Sequence, residues 1–429
     1  MEALLPLLIA HPLNILLNEL QAGFGGDQLE NGRERAAMSI SGKITIDMND
    51  AGHCGSGDRD IRIRSSRKTN VARFLKGKQP QEAVQLLPAI YSVCAVAQAS
   101  AAAIACRQRP VHKDVEIADQ LVVCCESARE HVLRIFTGWS HSVKADIDHI
   151  PFNIVMGLVN KMRAAVGTEV PLVDTSRPGA RPNLDQKQIR QVAVQLGNFL
   201  QAHIFHAQPR EWLAMTMGHQ LVDWAEKTDT VAANFITRLY QQNWQSAGAS
   251  ATCFLPGIPL ADLADKMHGA DSEDFLAHPI WQNKACETGP FSRHHDHQLI
   301  NNLVDQYGSG ILARQVARLV ELAKIPAQIE MLLEPEARAQ QPEHLLGVGQ
   351  VETARGQLTH SAVIADGKIV NYKILAPTEW NFHPNGVVHK ALNSLQDNLQ
   401  SRNQAETEAL AKMIVEAIDP CVAFDVRVH

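Results

Sequence analysis

Two widely separated cysteines are the side chains of this sequence best suited to hold a soft metal. Cys94 lies in the segment PAIYSVCAVAQ, and Cys421 lies in DPCVAFDVRVH, close to the end of the 429 residues. Thiolates are preferred ligands of several transition metals. Neither cysteine has a second cysteine at metal-ligand spacing, and a free cysteine is more often a buried core residue. Spacing alone therefore leaves both interpretations open.

Two further clusters could bind metal but have simpler explanations. The run His294, His295, Asp296 and His297 offers three imidazoles and a carboxylate to zinc or nickel. Adjacent histidines at a predicted helix start more often lie on a solvated surface. Cys124 and Cys125 fall in a helical pattern, where neighbours point about 100° apart. They cannot easily face one ligand, so core packing is expected for at least one.

The elements that must position these residues are mainly helices, with small sheets at both ends of the chain. Strands are predicted at SGKITIDMN and at DIRIRSS (60–66), paired with each other. A hairpin is predicted over 361–380, turning at Asp366 and Gly367. Apolar patterning predicts the helices, which fall at 87–106, 115–137, 185–204, 218–245, 296–323 and 404–417. The predicted fold class is α+β, mainly α.

Composition excludes several classes of function. The net charge of -6, with both signs interspersed, gives no footprint for nucleic acid. No run of about 18 apolar residues predicts a membrane span, and the N-terminus lacks the basic region of a signal peptide. The eight cysteines form no disulfide framework, so reduced thiols in the cytoplasm are expected. Residues 1–38 are predicted to be a loosely ordered extension, and 39–429 a single domain.

Four segments, in order from about Ile40 onward, resemble the large subunit of nickel-iron hydrogenases. FLKGKQPQEAVQLLPAIYSVCAVAQ is similar to the family's first motif, Arg-x-Cys-Gly-x-Cys-x-x-x-His, with its lead-in. ETGPFSRH (287–294) is similar to its Gly-Pro-Leu-Ala-Arg stretch. The segment 352–381 is similar to its Glu-Ala-Pro-Arg-Gly segment and the following hairpin, and DPCVAFDVR to its terminal motif, Asp-Pro-Cys-x-x-Cys-x-x-His/Arg. The chain is most similar to the HupK/HoxV-type maturation proteins of this group, and the resemblance implies a hydrogenase large-subunit-like fold.

The positions at which the chain departs from these motifs determine which metal it could bind. In the first motif Ala89, Tyr91, Ser92 and Gln98 replace the arginine, the first cysteine, the glycine and the histidine, and in the last motif Phe424 replaces the second cysteine. The family's four cysteines hold nickel, and the second of each motif also bridges to an iron that carries cyanide and carbon monoxide. Because tyrosine and phenylalanine cannot replace soft thiolates, no nickel is expected. Cys94 matches a bridging ligand, whereas Cys421 matches a terminal nickel ligand and would have to swing toward iron.

The resemblance also supplies partners for the iron's diatomic ligands. Cyanide accepts hydrogen bonds and must be satisfied in a dry pocket. Arg355 matches the family's arginine, and Thr378, beside Pro377, matches its hydroxyl position. Without the resemblance, Arg355 would be an ordinary ion-pair partner and Thr378 a turn residue.

These matches imply a non-catalytic scaffold that receives the Fe(CN)2(CO) unit from maturation chaperones and passes it to the apo large subunit of a hydrogenase. The family's catalytic subunits carry a C-terminal extension that is cleaved after nickel insertion, whereas only Val428 and His429 follow Arg427 here. Two alternatives remain open. One is a catalytic or hydrogen-sensing hydrogenase, and the other is a metal-free decoy that binds hydrogenase subunits.

Overall fold

The computed structural model describes residues 42–49, 60–67, 71–147, 150–167, 182–335, 347–395 and 403–429. The predicted extension 1–38 lies outside these ranges. The helices are α1 (Pro80–Ile90), α2 (Ala95–Cys106), α3 (Lys113–Arg134), α4 (Ser140–Val143), α5 (Phe152–Met156), α6 (Leu158–Ala165), α7 (Gln186–Leu200), α8 (Pro209–Trp212), α9 (Gly218–Lys227), α10 (Val231–Gln241), α11 (Leu260–His268), α12 (Ser272–Ala277), α13 (Pro290–His294), α14 (Gln298–Tyr307), α15 (Ile311–Met331), α16 (Pro377–Asn381), α17 (Val387–Asn393) and α18 (Gln404–Ile418).

Within the described ranges, two small sheets accompany the helices. The first contains β1 (Lys43–Asn49), β2 (Asp60–Ser65) and β6 (Ala423–Val428) in the order β2-β1-β6. The predicted pairing of the first two strands is confirmed, and it is antiparallel, while β6 adds in parallel to β1 and was not predicted. The first sheet therefore joins both ends of the described chain.

The second sheet is an antiparallel meander of β3 (Val348–Thr353), β4 (Gly356–Ala365) and β5 (Lys368–Leu375). The predicted hairpin is confirmed, and Asp366 and Gly367 turn it with φ values of 51° and 71°. Positive φ at both central residues is the geometry that favours Asp-Gly in a two-residue turn.

Three predicted helices are each two helices. The predicted helix 87–106 is wrong at its centre, because α1 begins at Pro80, contains Pro88, and ends before a break at 91–94. The predicted helix 218–245 is interrupted between α9 and α10, where the Thr230 hydroxyl accepts from the backbone of Ala233 and caps the second helix. The predicted helix 296–323 is interrupted before α15, where Gly308 has a φ of 73°.

The main core is helical. Helix α15 contacts α3 and α7, and the core around them contains fully buried side chains such as Phe136, Leu196 and Leu319. Among the described residues no single helix has the length and apolar composition of a membrane span, although the bent pair Pro80–Ile90 and Ser92–Cys106 meets that description by length and composition only.

The alanine-rich helix α2 packs directly on β3, as its small side chains permit. A methyl group at Gly349 would lie 2.2 Å from the carbonyl oxygen of Ala101 and 2.7 Å from the amide nitrogen of Ala105. We therefore expect Gly349→Ala to lower the free energy of unfolding by about 1–3 kcal/mol, measured by urea titration. Gly257→Ala is the control, since nothing lies within 4 Å of its Cβ position. Equal stability of the two variants would contradict this close packing.

Candidate metal centre

Residues from seven separate segments line one cavity of about 390 Å³. Cys94 and Cys421 both line it, together with Arg355 and Pro377. Thr378 lies next to a lining residue, because its Oγ1 is 2.8 Å from the Sγ of Cys421. The structure thus brings together all five residues that the resemblance assigned to the iron site. Their roles as ligands stay predictions.

The break between α1 and α2 presents Cys94 to this cavity. Helix α2 begins at Ala95, and its first free N–H groups are satisfied by a side chain from α3. The amides of Val96 and Ala97 donate to the two carboxylate oxygens of Glu126, each at 2.9 Å. A carboxylate at a helix N-terminus also opposes the helix dipole favourably. Glu126 therefore fixes where the new helix starts and, with it, the position of Cys94.

Arg355 lies in the tight turn between β3 and β4. Gly356, with a φ of 132°, lets this turn approach Thr288 so closely that a Cβ would lie 2.6 Å from the threonine methyl group. Thr288 is held in turn by Asn381, whose side-chain oxygen accepts from the Thr288 amide at 2.9 Å. The stretch 287–289 and helix α16 therefore fix the turn that carries Arg355.

Buried charges hold the Arg355 side chain. Its Nη1 donates to Glu130 Oε2 at 3.2 Å, and its Nε lies 3.5 Å from Asp419 Oδ1. Asp419 also pairs with Arg134 and with Arg318. Arg355 Nε has no hydrogen-bond partner among the described residues. Arg355 also lines the cavity, and a guanidinium there suits a ligand that accepts hydrogen bonds.

The second thiol is held by a cation and a hydroxyl. Arg67 Nη1 donates to Cys421 Sγ at 3.0 Å, and Arg67 Nε lies 3.0 Å from Glu379 Oε1. Glu379 itself caps helix α16, since its Oε2 accepts from the Ala376 amide at 3.0 Å. Arg67 and Glu379 are both only 9% exposed, so this ion pair is shielded from solvent.

Three of the positions where the hydrogenase motifs are broken, Tyr91, Ser92 and Gln98, line the cavity with these thiols. Tyr91 lines the cavity, and burial raises its pKa to about 12. Gln98 is 2% exposed, its Nε2 lies 3.7 Å from the Cys94 Sγ, and its Oε1 has no partner among the described residues. Phe424 lies in β6 and packs against the main core. Burial and the neighbouring Cys421 also raise the pKa of Cys94 to about 12, which favours its neutral thiol.

The two other sequence clusters do not gather three metal-ligand side chains in the described part of the chain. Within the described ranges no group of three or more His, Cys, Asp or Glu side chains could hold a metal ion. His294 pairs with Glu321, His295 is exposed, and His297 immediately precedes helix α14. Cys124 and Cys125 are both buried in the main core, as expected.

The acid response of the fold should depend on Asp419. Burial alone would raise the pKa of this carboxyl, but Arg134, Arg355 and Arg318 outweigh burial and hold the pKa far below its usual range. A carboxylate with a depressed folded pKa stabilises the fold above its unfolded pKa of about 3.9, and this contribution is lost as pH falls below that value. We expect Asp419→Asn to lower the free energy of unfolding at pH 7 by about 3 kcal/mol and to flatten its decline below about pH 5.

Urea titrations at several pH values would check this expectation. Asp425→Asn is the matched control, because Asp425 pairs with Lys43 on the exposed surface and should change stability little. An unchanged pH dependence in Asp419→Asn would contradict the assignment.

Sequence reasoning missed several residues that build the site. Asp419 stands in the terminal motif, directly before Pro420 and Cys421, so a signal for it was present. Glu126 and Glu130 lie four residues apart on α3, directly after the apolar run 121–125, which is a weaker signal for buried carboxylates. Arg67 gave no signal, because nothing local distinguishes it from the neighbouring basic residues.

The fold is that of known hydrogenases. A reduced nickel-iron-selenium hydrogenase from Desulfovibrio vulgaris Hildenborough matches with a TM-score of 0.55 at 16% identity, over 86% of this chain and 94% of that one. At this identity the likeness concerns the fold alone, and it confirms the predicted hydrogenase large-subunit-like architecture.

A family model for nickel-dependent hydrogenases matches residues 186–427, and the chain belongs to this family. It is similar to the hydrogenase expression/formation protein HoxV of Cupriavidus necator, with 28% identity over 396 residues, 85% of this chain and 92% of that protein. It is also similar to the hydrogenase expression/formation protein HupV of Azotobacter chroococcum mcd 1, with 25% identity over 370 residues. The match covers 83% of this chain and 91% of that protein. The resemblance drawn from the sequence motifs is confirmed.

Proposed function

We propose that this protein acts in hydrogenase maturation, as a non-catalytic scaffold that carries an Fe(CN)2(CO) unit and hands it to the apo large subunit of a nickel-iron hydrogenase. The observation that carries the proposal is the shared cavity of Cys94, Cys421 and Arg355. The names of the relatives, hydrogenase expression/formation proteins, support a maturation role.

The cavity suits this cargo in size and chemistry. Its volume of about 390 Å³ exceeds the share of one water in the liquid, about 30 Å³, by an order of magnitude. The thiols of Cys94 and Cys421 would bind iron through sulfur, each releasing its proton. The guanidinium of Arg355 and the hydroxyl of Thr378 would donate to the cyanide and carbonyl ligands.

A site with two thiolate ligands suits a carrier rather than the final metal site of an enzyme. A transferable group must be held less firmly than in the acceptor, which by family resemblance offers four cysteines. Release would proceed by ligand exchange, in which thiolates of the acceptor replace those of Cys94 and Cys421. Maturation chaperones that assemble the iron unit would be the donors.

A transfer experiment tests the proposal. The protein is purified anaerobically from a maturation-competent host grown on iron-57, mixed with unlabelled apo large subunit of the same organism, and separated again. Iron-57 and the cyanide and carbonyl infrared bands should move to the large subunit. Iron that stays with the scaffold would contradict the carrier role, and a scaffold that binds the large subunit without iron would favour the decoy.

A further inference from the structure

A buried guanidinium stands against one of the two thiols that face the cavity. Arg67 Nη1 donates to Cys421 Sγ at 3.0 Å, and the side chain is only 9% exposed. Arginine remains protonated in proteins, so this is a permanent positive charge, and while its Nε pairs with Glu379, its Nη1 faces the thiol. Any metal that binds Cys421 must either displace Arg67 or accept it as a close neighbour.

The positive charge of Arg67 affects a bare divalent ion and an iron-cyanide unit differently. In a poorly hydrated site, like charges in contact repel strongly. A bare divalent ion bound by both thiolates, which have released their protons, forms a neutral complex that gains little from the neighbouring guanidinium and still sets two cations against each other. Ferrous iron with two cyanides brings no net charge, because the cyanide charges cancel those of the metal. Once both thiolates are bound, the complex is anionic, and the guanidinium then stabilises it.

We propose that Arg67 is a specificity-determining residue that excludes bare divalent cations, nickel and zinc among them, from Cys421 and admits iron whose charge is already cancelled. The identity of the admitted cargo rests on the proposed function, whereas exclusion of bare cations is a property of the apo protein. The exclusion of bare cations can therefore be measured by itself, on the apo protein.

The test measures Zn²⁺ and Ni²⁺ affinity of reduced apo protein by competition with a chromophoric chelator, under anaerobic conditions. Arg67→Gln should tighten the Kd for both ions on the order of tenfold or more. Arg67→Lys, which keeps the charge, should bind as weakly as the wild type. Adding Cys421→Ala to Arg67→Gln should remove the gain, which separates this site from any other that binds the ions.

A second variant deals with Glu379, which Arg67→Gln leaves buried without its partner and free to act as a ligand. Arg67→Gln combined with Glu379→Gln removes both charges, and it is the variant expected to fold if the single one does not. It should still gain affinity. A gain confined to the single variant would make Glu379 the cause and overturn the proposal.

The outcomes separate the two hypotheses. If the wild type shows cyanide and carbonyl bands but no folded variant gains divalent-metal affinity, cation exclusion is wrong and the proposed function stands. If the variants gain affinity while the wild type never carries the bands, exclusion is supported and the iron cargo is wrong.

Discussion

Cys94→Ala protein, purified anaerobically from a maturation-competent host, is expected to contain no iron and no cyanide or carbonyl infrared bands. The thiol is the one retained ligand that, by resemblance, already faces iron, and it stands at the helix break fixed by Glu126. An alanine offers no electron pair, and Cys94→Ser offers a harder oxygen that iron of this kind should bind poorly. Iron per protein and the infrared spectrum are the two measurements.

Cys106→Ala is the matched control for that experiment. Cys106 ends the same helix α2 and is buried in the core between α1, α2 and the second sheet. This variant should lose about 1 kcal/mol of stability at most and keep full iron occupancy. Cys421→Ala is expected to lower occupancy about tenfold or more without necessarily abolishing it. Full iron occupancy in Cys94→Ala would refute the ligand assignment.

The second large effect is expected at Arg355. Arg355→Met keeps the length of the side chain but removes its charge and its donors. Glu130 and Asp419 then lose a buried partner, although Asp419 retains Arg134 and Arg318, so we expect a loss of about 3 kcal/mol in the free energy of unfolding. The cyanide ligands lose a donor, and the iron unit should be bound weakly or not at all.

Two further variants separate binding from stability. Arg355→Lys keeps the charge but loses the planar fork, so it should retain more stability while shifting the positions of the cyanide bands. Arg107→Met removes another buried ion pair, with Asp119, beyond the cavity. It should destabilise the fold while leaving the band positions unchanged. Identical bands in Arg355→Lys and the wild type would show that Arg355 does not contact the cargo.

Local signals were sufficient for much of the fold. The hairpin at Asp366 and Gly367 and the pairing of β1 with β2 followed from alternation and turn chemistry, which act over a few residues. Helices α3, α7 and α18 likewise followed from apolar periodicity. The pairing of β6 with β1 did not, because a parallel neighbour from the other end of the chain leaves no mark in the local sequence.

The site was predictable where a motif carried it and not where distant residues built it. Cys94, Cys421, Arg355 and Thr378 came from motif positions, and the fold brings them to one place. The helix break before Cys94 was missed because the carboxylate that caps the new helix is Glu126, on another element. A contact across the fold decides that break, and periodicity within 87–106 cannot reveal it.

The most direct test of the central claim is the infrared spectrum of the wild-type protein, purified anaerobically and in full length from a maturation-competent host. Cyanide and carbon monoxide absorb in a window free of protein bands, and carbon-13 labelling shifts their bands. We predict cyanide and carbonyl bands in proportion to bound iron, with no nickel in the same sample. A spectrum without those bands, or protein with stoichiometric nickel and hydrogen uptake, would contradict the account.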